Sequence, residues 1–254
     1  MPEYIYGHWA VMEALRANRR TIEQLLLADK TEDRGIIGEM MQIAHVRDVP
    51  IRRVPRTILD DLSQGANHQN TILRTRGYPY VDVQDILETA AERNEKPFIL
   101  ILDLLQDPQN VGSLMRVADA VGIHGVILQE RRGVGITPSV VNASSGAVEH
   151  LNVAQVTNLV NTMKDLKKED VWMVGFDIGE DAQPVNSANL NMGIGLVIGS
   201  EGDGIRRLVK ENCDIILTLP MRGRVGSLNA STAGSIALYR AWEARNWEGW
   251  KRGE

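Results

Sequence analysis

Three stretches of this chain combine Asn, Arg, Glu, Ser and Gly at spacings suited to holding a polar ligand beside a helix start. In DLLQDPQNVGSLMRVADAVG (103–122), Asp107-Pro108 makes a turn, Asn110 stands where a helix N-cap is expected, and Arg116 follows within two turns. In GLVIGSEGDGIRRL (195–208), Gly199, Glu201, Gly202 and Gly204 join an apolar run to a helix, a junction that can turn backbone N–H groups toward a ligand. In LTLPMRGRVGSLNASTAGSIALY (217–239), Ser227 and Asn229 flank Leu228 ahead of a small-residue helix. Arg222 and Arg224 in the same loop suit contact with phosphates.

Each stretch also has a plain structural reading. Asn110 can cap its helix with Arg116 merely solvated, Glu201 can complement a positive helix end, and the third stretch can be a helix N-cap with tight helix packing. The capping reading does not account for Leu228, an apolar residue between two polar ones, which suits the wall of a pocket. Other chemistries are poorly served. The G-x-x-G-x-G order at 199–204 reverses the dinucleotide fingerprint, and no Lys-Ser/Thr pair follows it, so a nucleotide-dependent oxidoreductase ranks last. The five histidines show no ligand spacing, so no metal is expected. No G-x-S-x-G elbow exists, and the lone Cys213 reads as a core residue. VGFDIGED (174–181) is set aside as too poor in glycine for a methyltransferase cofactor loop.

The elements that must position these loops show as short apolar runs. FILIL (98–102), GVIL (125–128), VWMVGF (171–176), GLVIG (195–199) and DIILTL (214–219) fit strands buried on both faces of a parallel sheet. Helical stretches at 111–121, 156–168, 205–212 and 231–247 separate them. The expected architecture over 98–254 is a doubly wound α/β domain with ligands at the carboxyl ends of its strands. Residues 1–76 read as a small α/β unit, with helices at 8–16 and 36–45 and strands at 24–28, 50–54 and 71–74. Between them, 77–97 is charged and bounded by prolines, and reads as a linker with a helical turn or two.

At 254 residues and 43% apolar content the chain can bury a substantial core, and its single cysteine excludes a disulfide framework or a multi-cysteine metal centre. No apolar run approaches the ~20 residues of a membrane span, and the first residues carry no secretory pattern. A cytoplasmic location, with no membrane partner, is the expectation. The net charge of −5 is unevenly spread: residues 1–80 carry 11 Lys+Arg against 10 Asp+Glu, with arginines bunched at 47, 52, 53, 56, 74 and 76. The acidic total argues against a nucleic-acid partner, but such local basic patches can bind phosphates even on a net-acidic chain.

Taken together, the three loops resemble the motifs of the SpoU family of RNA ribose 2′-O-methyltransferases, within the SPOUT superfamily. D-P-x-N-x-G-x-x-x-R is met by Asp107, Pro108, Asn110, Gly112 and Arg116; G-x-E-G-x-G by Gly199, Glu201, Gly202 and Gly204. P-M-x-G-x-x-x-S-L-N-x-S is met by Pro220, Met221, Gly223, Ser227, Leu228, Asn229 and Ser231. Tyr6-Gly7-x-x-Ala10-Val11 and Gly65-Ala66-x-His68-Gln69 resemble the N-terminal RNA-binding domain of the rRNA guanosine branch, related in fold to a ribosomal protein. One departure is Asn70, where that branch usually carries Gly.

The resemblance implies a C-terminal domain tied in a trefoil knot, a topology that periodicity alone would exclude. It implies S-adenosylmethionine held in the knot near Ile198, Gly199, Gly202, Leu219, Met221 and Leu228, and a homodimer with Asn110 and Arg116 facing the other subunit's cofactor. The implied catalytic set is Asn110, Arg116, Glu201, Ser227 and Asn229: Arg116 as base or charge stabiliser, Asn110 and Asn229 orienting it and the substrate. Ser227 would then place the loop or touch RNA, and Glu201 would hold Arg116 or the ribose. The implied substrate is a guanosine of 23S rRNA; the alternatives are a tRNA ribose or an RNA-binding module without catalysis.

Overall fold

The computed structural model describes residues 2–179, 181–224 and 226–250. The chain divides into two compact units, Met1–Pro79 with Ile136–His150, and Tyr80–Gly135 with Leu151–Glu254. The first opens with β1 (Glu3–Tyr6), α1 (His8–Ala17), β2 (Ile22–Ala28), α2 (Ile36–Val46), β3 (Ile51–Val54), α3 (Arg56–Leu62) and β4 (Thr71–Thr75). Its sheet has the order β1-β4-β2-β3, with β3 parallel to β2 and the other pairs antiparallel. The apolar run of β2 buries Leu25–Ala28, and α1 lays down Ala10, Val11, Ala14 and Leu15, an i, i+1, i+4, i+5 stripe.

The next elements are α4 (Val83–Glu92), β5 (Phe98–Asp103), α5 (Pro108–Ala120) and β6 (Gly125–Gln129). After α6 (Pro138–Ala143), the chain continues with β7 (Val153–Val156), α7 (Leu159–Lys168), β8 (Trp172–Phe176), β9 (Gln183–Pro184), β10 (Ile194–Gly199), α8 (Arg207–Lys210), β11 (Ile215–Thr218) and α9 (Ala230–Ala244). All strand pairs of the second sheet are parallel, in the order β7-β6-β5-β10-β8-β11-β9. Every residue of β5 and β10 is buried, as central strands covered on both faces must be.

Three features depart from expectation. Residues 77–97 are not a free linker: α4, fixed by an Asp82/Asp85 capping box, buries Ile86 and Ala90, and Ile86 packs with Ile99 and Ile127. Its apolar residues are few but fall at helical spacing, so a charged stretch still contributes to the core. Second, β7 (Val153–Val156) adds an edge strand where the sequence shows none, ahead of the helix expected at 156–168 and found at Leu159–Lys168. Third, Ile136–His150, with α6, leaves the second unit for the first. A buried ion pair holds it there: Arg20 Nε donates to Glu149 Oε2 at 2.9 Å, with both side chains at most 1% exposed. The Arg20 guanidinium also lies 5.0 Å over the Tyr78 ring, whose hydroxyl donates to the Val148 carbonyl at 3.0 Å.

In the second sheet, Gly199 of β10 pairs in register with Asp103 of β5, so two of the three loops leave the sheet side by side at its carboxyl edge. The third loop is returned by α9. A Cβ on Gly234 would stand 2.6 Å from Leu114 Cδ2 and 3.3 Å from Ile198 Cγ1, so the missing side chain lets α9 pack against α5 and β10.

Candidate active site

The tight turn after β10 is built by glycine. A Cβ at Gly199 would stand 2.1 Å from the Gly204 carbonyl carbon, and Ser200 and Gly204 exchange backbone hydrogen bonds of 3.1 and 3.0 Å. Gly202 (φ +86°) and Gly204 (φ +66°) take left-handed conformations that a side chain would strain. The far end of the turn is anchored by Asp103, a fully buried carboxylate that accepts from the Arg206 backbone N–H (2.8 Å) and from its Nε (2.7 Å). Glu201 is left exposed at the tip.

Asn110 does not cap α5. Asp107 does, accepting from Gln109 N at 3.0 Å with Pro108 in the first turn. Buried Asn110 instead donates its amide to Asp107 Oδ2 (2.9 Å) and to Glu201 Oε1, tying the first loop to the second. Asn229, by contrast, is the cap of α9: its Oδ1 accepts from Ser231 N (2.9 Å), Ser231 Oγ (2.6 Å) and Thr232 N (3.4 Å). Capping thus uses the side-chain oxygen of Asn229 rather than its amide nitrogen.

The second and third loops, with the end of β8, line a cavity of about 990 Å³. Ile198, Gly199, Gly202, Leu219, Met221 and Leu228 line it, together with Glu201 and Ser227. Asn110, Arg116 and Asn229 do not line it. Asn110 reaches it through Glu201, and Arg116 stands on the exposed side of α5. The carboxylate of Glu201 accepts from the Asn110 amide.

Another part of the wall went unread in the sequence. Phe176, Asp177 and Ile178, from the stretch set aside at 174–181, line the cavity, and Lys210 closes on Asp177 Oδ2 at 2.8 Å. Glu180 of that stretch and Val225 of the third loop lie outside the described residues. The available signal was position rather than composition: an apolar run ending in Asp at the carboxyl end of a strand beside β10. Cys213 packs against the core beside Gly175, and burial pushes its thiol up to about 12, which disfavours the thiolate. Among the described residues no His/Cys/Asp/Glu cluster could hold a metal, and no helix is long and apolar enough to cross a membrane.

In the first unit the two N-terminal sequence motifs meet. His8 N donates to Gln69 Oε1 (2.6 Å), and His8 Nε2 lies 2.8 Å from the Gln69 carbonyl. Buried His68 accepts at Nδ1 from Asn70 N (3.0 Å), which leaves Nε2 to donate to Asp60 Oδ1 at 2.9 Å. Asn70 has φ +65°, a left-handed conformation natural to Gly and tolerated by Asn, so its departure from the family pattern keeps the turn.

The chain matches the model of the SpoU rRNA Methylase family over residues 97–239 and that of RNA 2′-O ribose methyltransferase substrate binding over 4–81. It is 43% identical over 246 residues to Bacillus subtilis (strain 168) YacO, assigned to the TrmH family of tRNA/rRNA methyltransferases, covering 96% of each chain. A Staphylococcus saprophyticus protein assigned to the same family is 40% identical over 245 residues, covering 96% of this chain and 97% of that one. Among solved structures, the SpoU methyltransferase AviRb of Streptomyces viridochromogenes in complex with AdoMet shares the fold at TM-score 0.79 and 23% identity, over 97% of this chain and 91% of that one. An AdoMet-bound rRNA methyltransferase from Sinorhizobium meliloti does so at TM-score 0.76 and 20% identity, over 95% and 87%. The chain belongs to the SpoU (TrmH) family of RNA 2′-O-ribose methyltransferases.

Proposed function

We propose that this chain transfers a methyl group from S-adenosylmethionine to the ribose 2′-hydroxyl of a guanosine in 23S rRNA. The observation that carries the reading is the cavity at the carboxyl ends of β8, β10 and β11, with the Asn110–Glu201 contact joining the first loop to its rim. Its volume is at the upper end of small-molecule sites, about 300–1,000 Å³. Its wall pairs glycine backbone at 199 and 202 with apolar Ile198, Leu219, Met221 and Leu228, a fit for an adenosine held through main-chain groups. S-adenosylmethionine would supply an already activated methyl group.

The protein's tasks are then alignment and control of the 2′-hydroxyl proton. Alignment of two reactants can lower a barrier by ~7–11 kcal/mol. A guanidinium does not give up its proton in the working pH range, so Arg116 acts by stabilising the developing alkoxide and orienting a phosphate. Asn110 fixes Glu201 at the cavity rim, Ser227 places the third loop, and the Asn229 amide nitrogen, left over from capping, orients substrate. Arg116 lies outside this chain's own cavity lining, which supports a homodimer in which it serves the partner's cofactor. Exposed Ile236 and Tyr239 on α9 offer an apolar face for that assembly. A trefoil knot in the second unit and a cytoplasmic location belong to the same reading.

Ribosomal RNA is favoured over tRNA by the first unit, which matches the substrate-binding model and brings its two motifs together at His8 and Gln69. Arg116→Ala tests the assignment. It should abolish methyl transfer to ribosomal RNA while calorimetry shows S-adenosylmethionine binding unchanged; near-normal turnover would overturn it. Partial activity in Arg116→Lys would favour charge stabilisation over the fork geometry of the guanidinium.

A further inference from the structure

A second cavity, of about 440 Å³, opens at the carboxyl ends of β6 and β7. Its walls are apolar, with Leu159 and Val209 at the buried end and Val160 and the 56% exposed Leu208 nearer solvent. Gln129, Thr157 and Asn158 supply polar groups around them. Arg207 lines both this cavity and the larger one, so segment 205–210 separates the two. The start of that segment is held still: Arg206 is clamped by Asp103 and donates to Gln129 Oε1 at 2.8 Å.

The surroundings are cationic. Arg206 and Arg207 flank the slot, and Arg131 and Arg132 follow Gln129 closely on the exposed turn after β6, where the Arg132 carbonyl accepts from Gln106 at 3.3 Å. Of these, Arg206 is paired with Asp103 and Arg207 with Glu211 at 2.7 Å, so the excess positive charge comes from exposed Arg131 and Arg132 set against exposed Glu130. The N-terminus of α7 is satisfied by Asn158, which accepts from Asn161 N at 3.1 Å, so an anion is not needed there.

We infer that this slot receives an unpaired base of the RNA substrate, away from the methylated ribose, while Arg131, Arg132 and Arg207 meet its flanking phosphates. A cavity whose lining mixes Leu159, Val160, Leu208 and Val209 with the amide and hydroxyl groups of Gln129, Asn158 and Thr157 suits a base's apolar faces and polar rim, and the arginines beside it suit the backbone on either side. Because segment 205–210 also borders the larger cavity, a base seated here would help fix where the acceptor strand runs past the methyl donor. This inference rests on RNA being the substrate, as proposed above.

The test uses the full chain and a fluorescently labelled, mixed-sequence single-stranded 12-nucleotide RNA, with anisotropy read across a salt series. Leu208→Glu should weaken binding about tenfold or more, the scale of losing one seated base. Arg131→Ala/Arg132→Ala should lower the salt slope by about 0.7 for each phosphate no longer neutralised. S-adenosylmethionine affinity should be unchanged in both variants, which also confirms their folding. RNA binding by both at wild-type strength and salt slope would overturn the inference. Methyl transfer to 23S rRNA transcript is measured in parallel. Its absence in wild type, with RNA binding still sensitive to the variants, would sink the proposed function and leave the slot standing; normal transfer with insensitive binding would do the reverse.

Discussion

Gly199 is where a single added methyl group should do most damage to the cofactor cavity. The Cβ of Gly199→Ala would stand 2.1 Å from the Gly204 carbonyl carbon, 2.2 Å from its oxygen and 2.4 Å from Ile205 N, all backbone atoms with no rotamer to give way. Reaching even a 3.0 Å contact means parting the turn by about 1 Å. Overpacking of this kind costs about 1–3 kcal/mol, and the two Ser200–Gly204 hydrogen bonds at risk are worth about 1 kcal/mol each. The turn lines the cavity, so a loss of about 3 kcal/mol or more spread over folding and binding should weaken S-adenosylmethionine at least tenfold. The control is Gly223→Ala, in the third loop, where a Cβ meets nothing within 4 Å. Calorimetric titration with thermal unfolding on both variants reads the effect. Gly199→Ala with affinity within twofold of wild type and an unchanged Tm would refute the close-approach reasoning.

Other predictions concern the framework. Buried His124 accepts from Phe98 N (2.9 Å) at Nδ1, which fixes Nε2 as the donor to Glu95 (3.0 Å); burial first, then Arg93, lower its pKa against the pull of Glu95. The folded state thus binds its proton less readily than the unfolded chain, so His124's contribution is present above about pH 6.5 and declines as pH falls toward the lowered value. Urea midpoints at pH 7.5 and 5.5 should separate more in wild type than in His124→Gln; equal separations would contradict this. Cys213 should resist iodoacetamide at pH 8 in the folded protein and react on unfolding, since burial pushes its thiol up to about 12; rapid folded-state labelling would count against that. Arg20→Met strands the Glu149 carboxylate, 1% exposed, and should destabilise the first unit by about 3–5 kcal/mol, with Glu149→Leu added in the same chain restoring much of it. A single variant within 1 kcal/mol of wild type in denaturant unfolding would show that Glu149 is not buried in solution.

The central strands and their loops were legible because β5 and β10 are continuous apolar runs, β10 followed closely by Glu201 and Gly202 and β5 by Asp107, Pro108 and Asn110 within seven residues, and because three motifs in order carry far more information than one. What stayed hidden was hidden for physical reasons. α4 shows only Ile86 and Ala90 buried within a charged stretch, so its local pattern resembles a solvated helix until the sheet it covers is known. Ile136–His150 joins the first unit through Arg20 and Glu149, a pairing 129 residues apart that no local window can see. Asn110 stood in the sequence as a cap candidate, and the third stretch as a helix N-cap with no single residue marked for it. Only the fold shows that Asp107 takes the cap from Asn110 while Asn229 caps α9. Asp177 and Lys210 escaped notice because neither sits in a glycine-rich pattern; Asp177 reaches the cavity because β8 lies beside β10, and Lys210 of α8 through its ion pair with Asp177.

The most direct test is to incubate the purified chain with unmodified 23S rRNA transcript and methyl-labelled S-adenosylmethionine, then map 2′-O-methylation along the RNA. The account predicts label at the ribose of a single guanosine, absent from a parallel reaction with Arg116→Ala. Label on a base, on tRNA only, or on no RNA at all would contradict it.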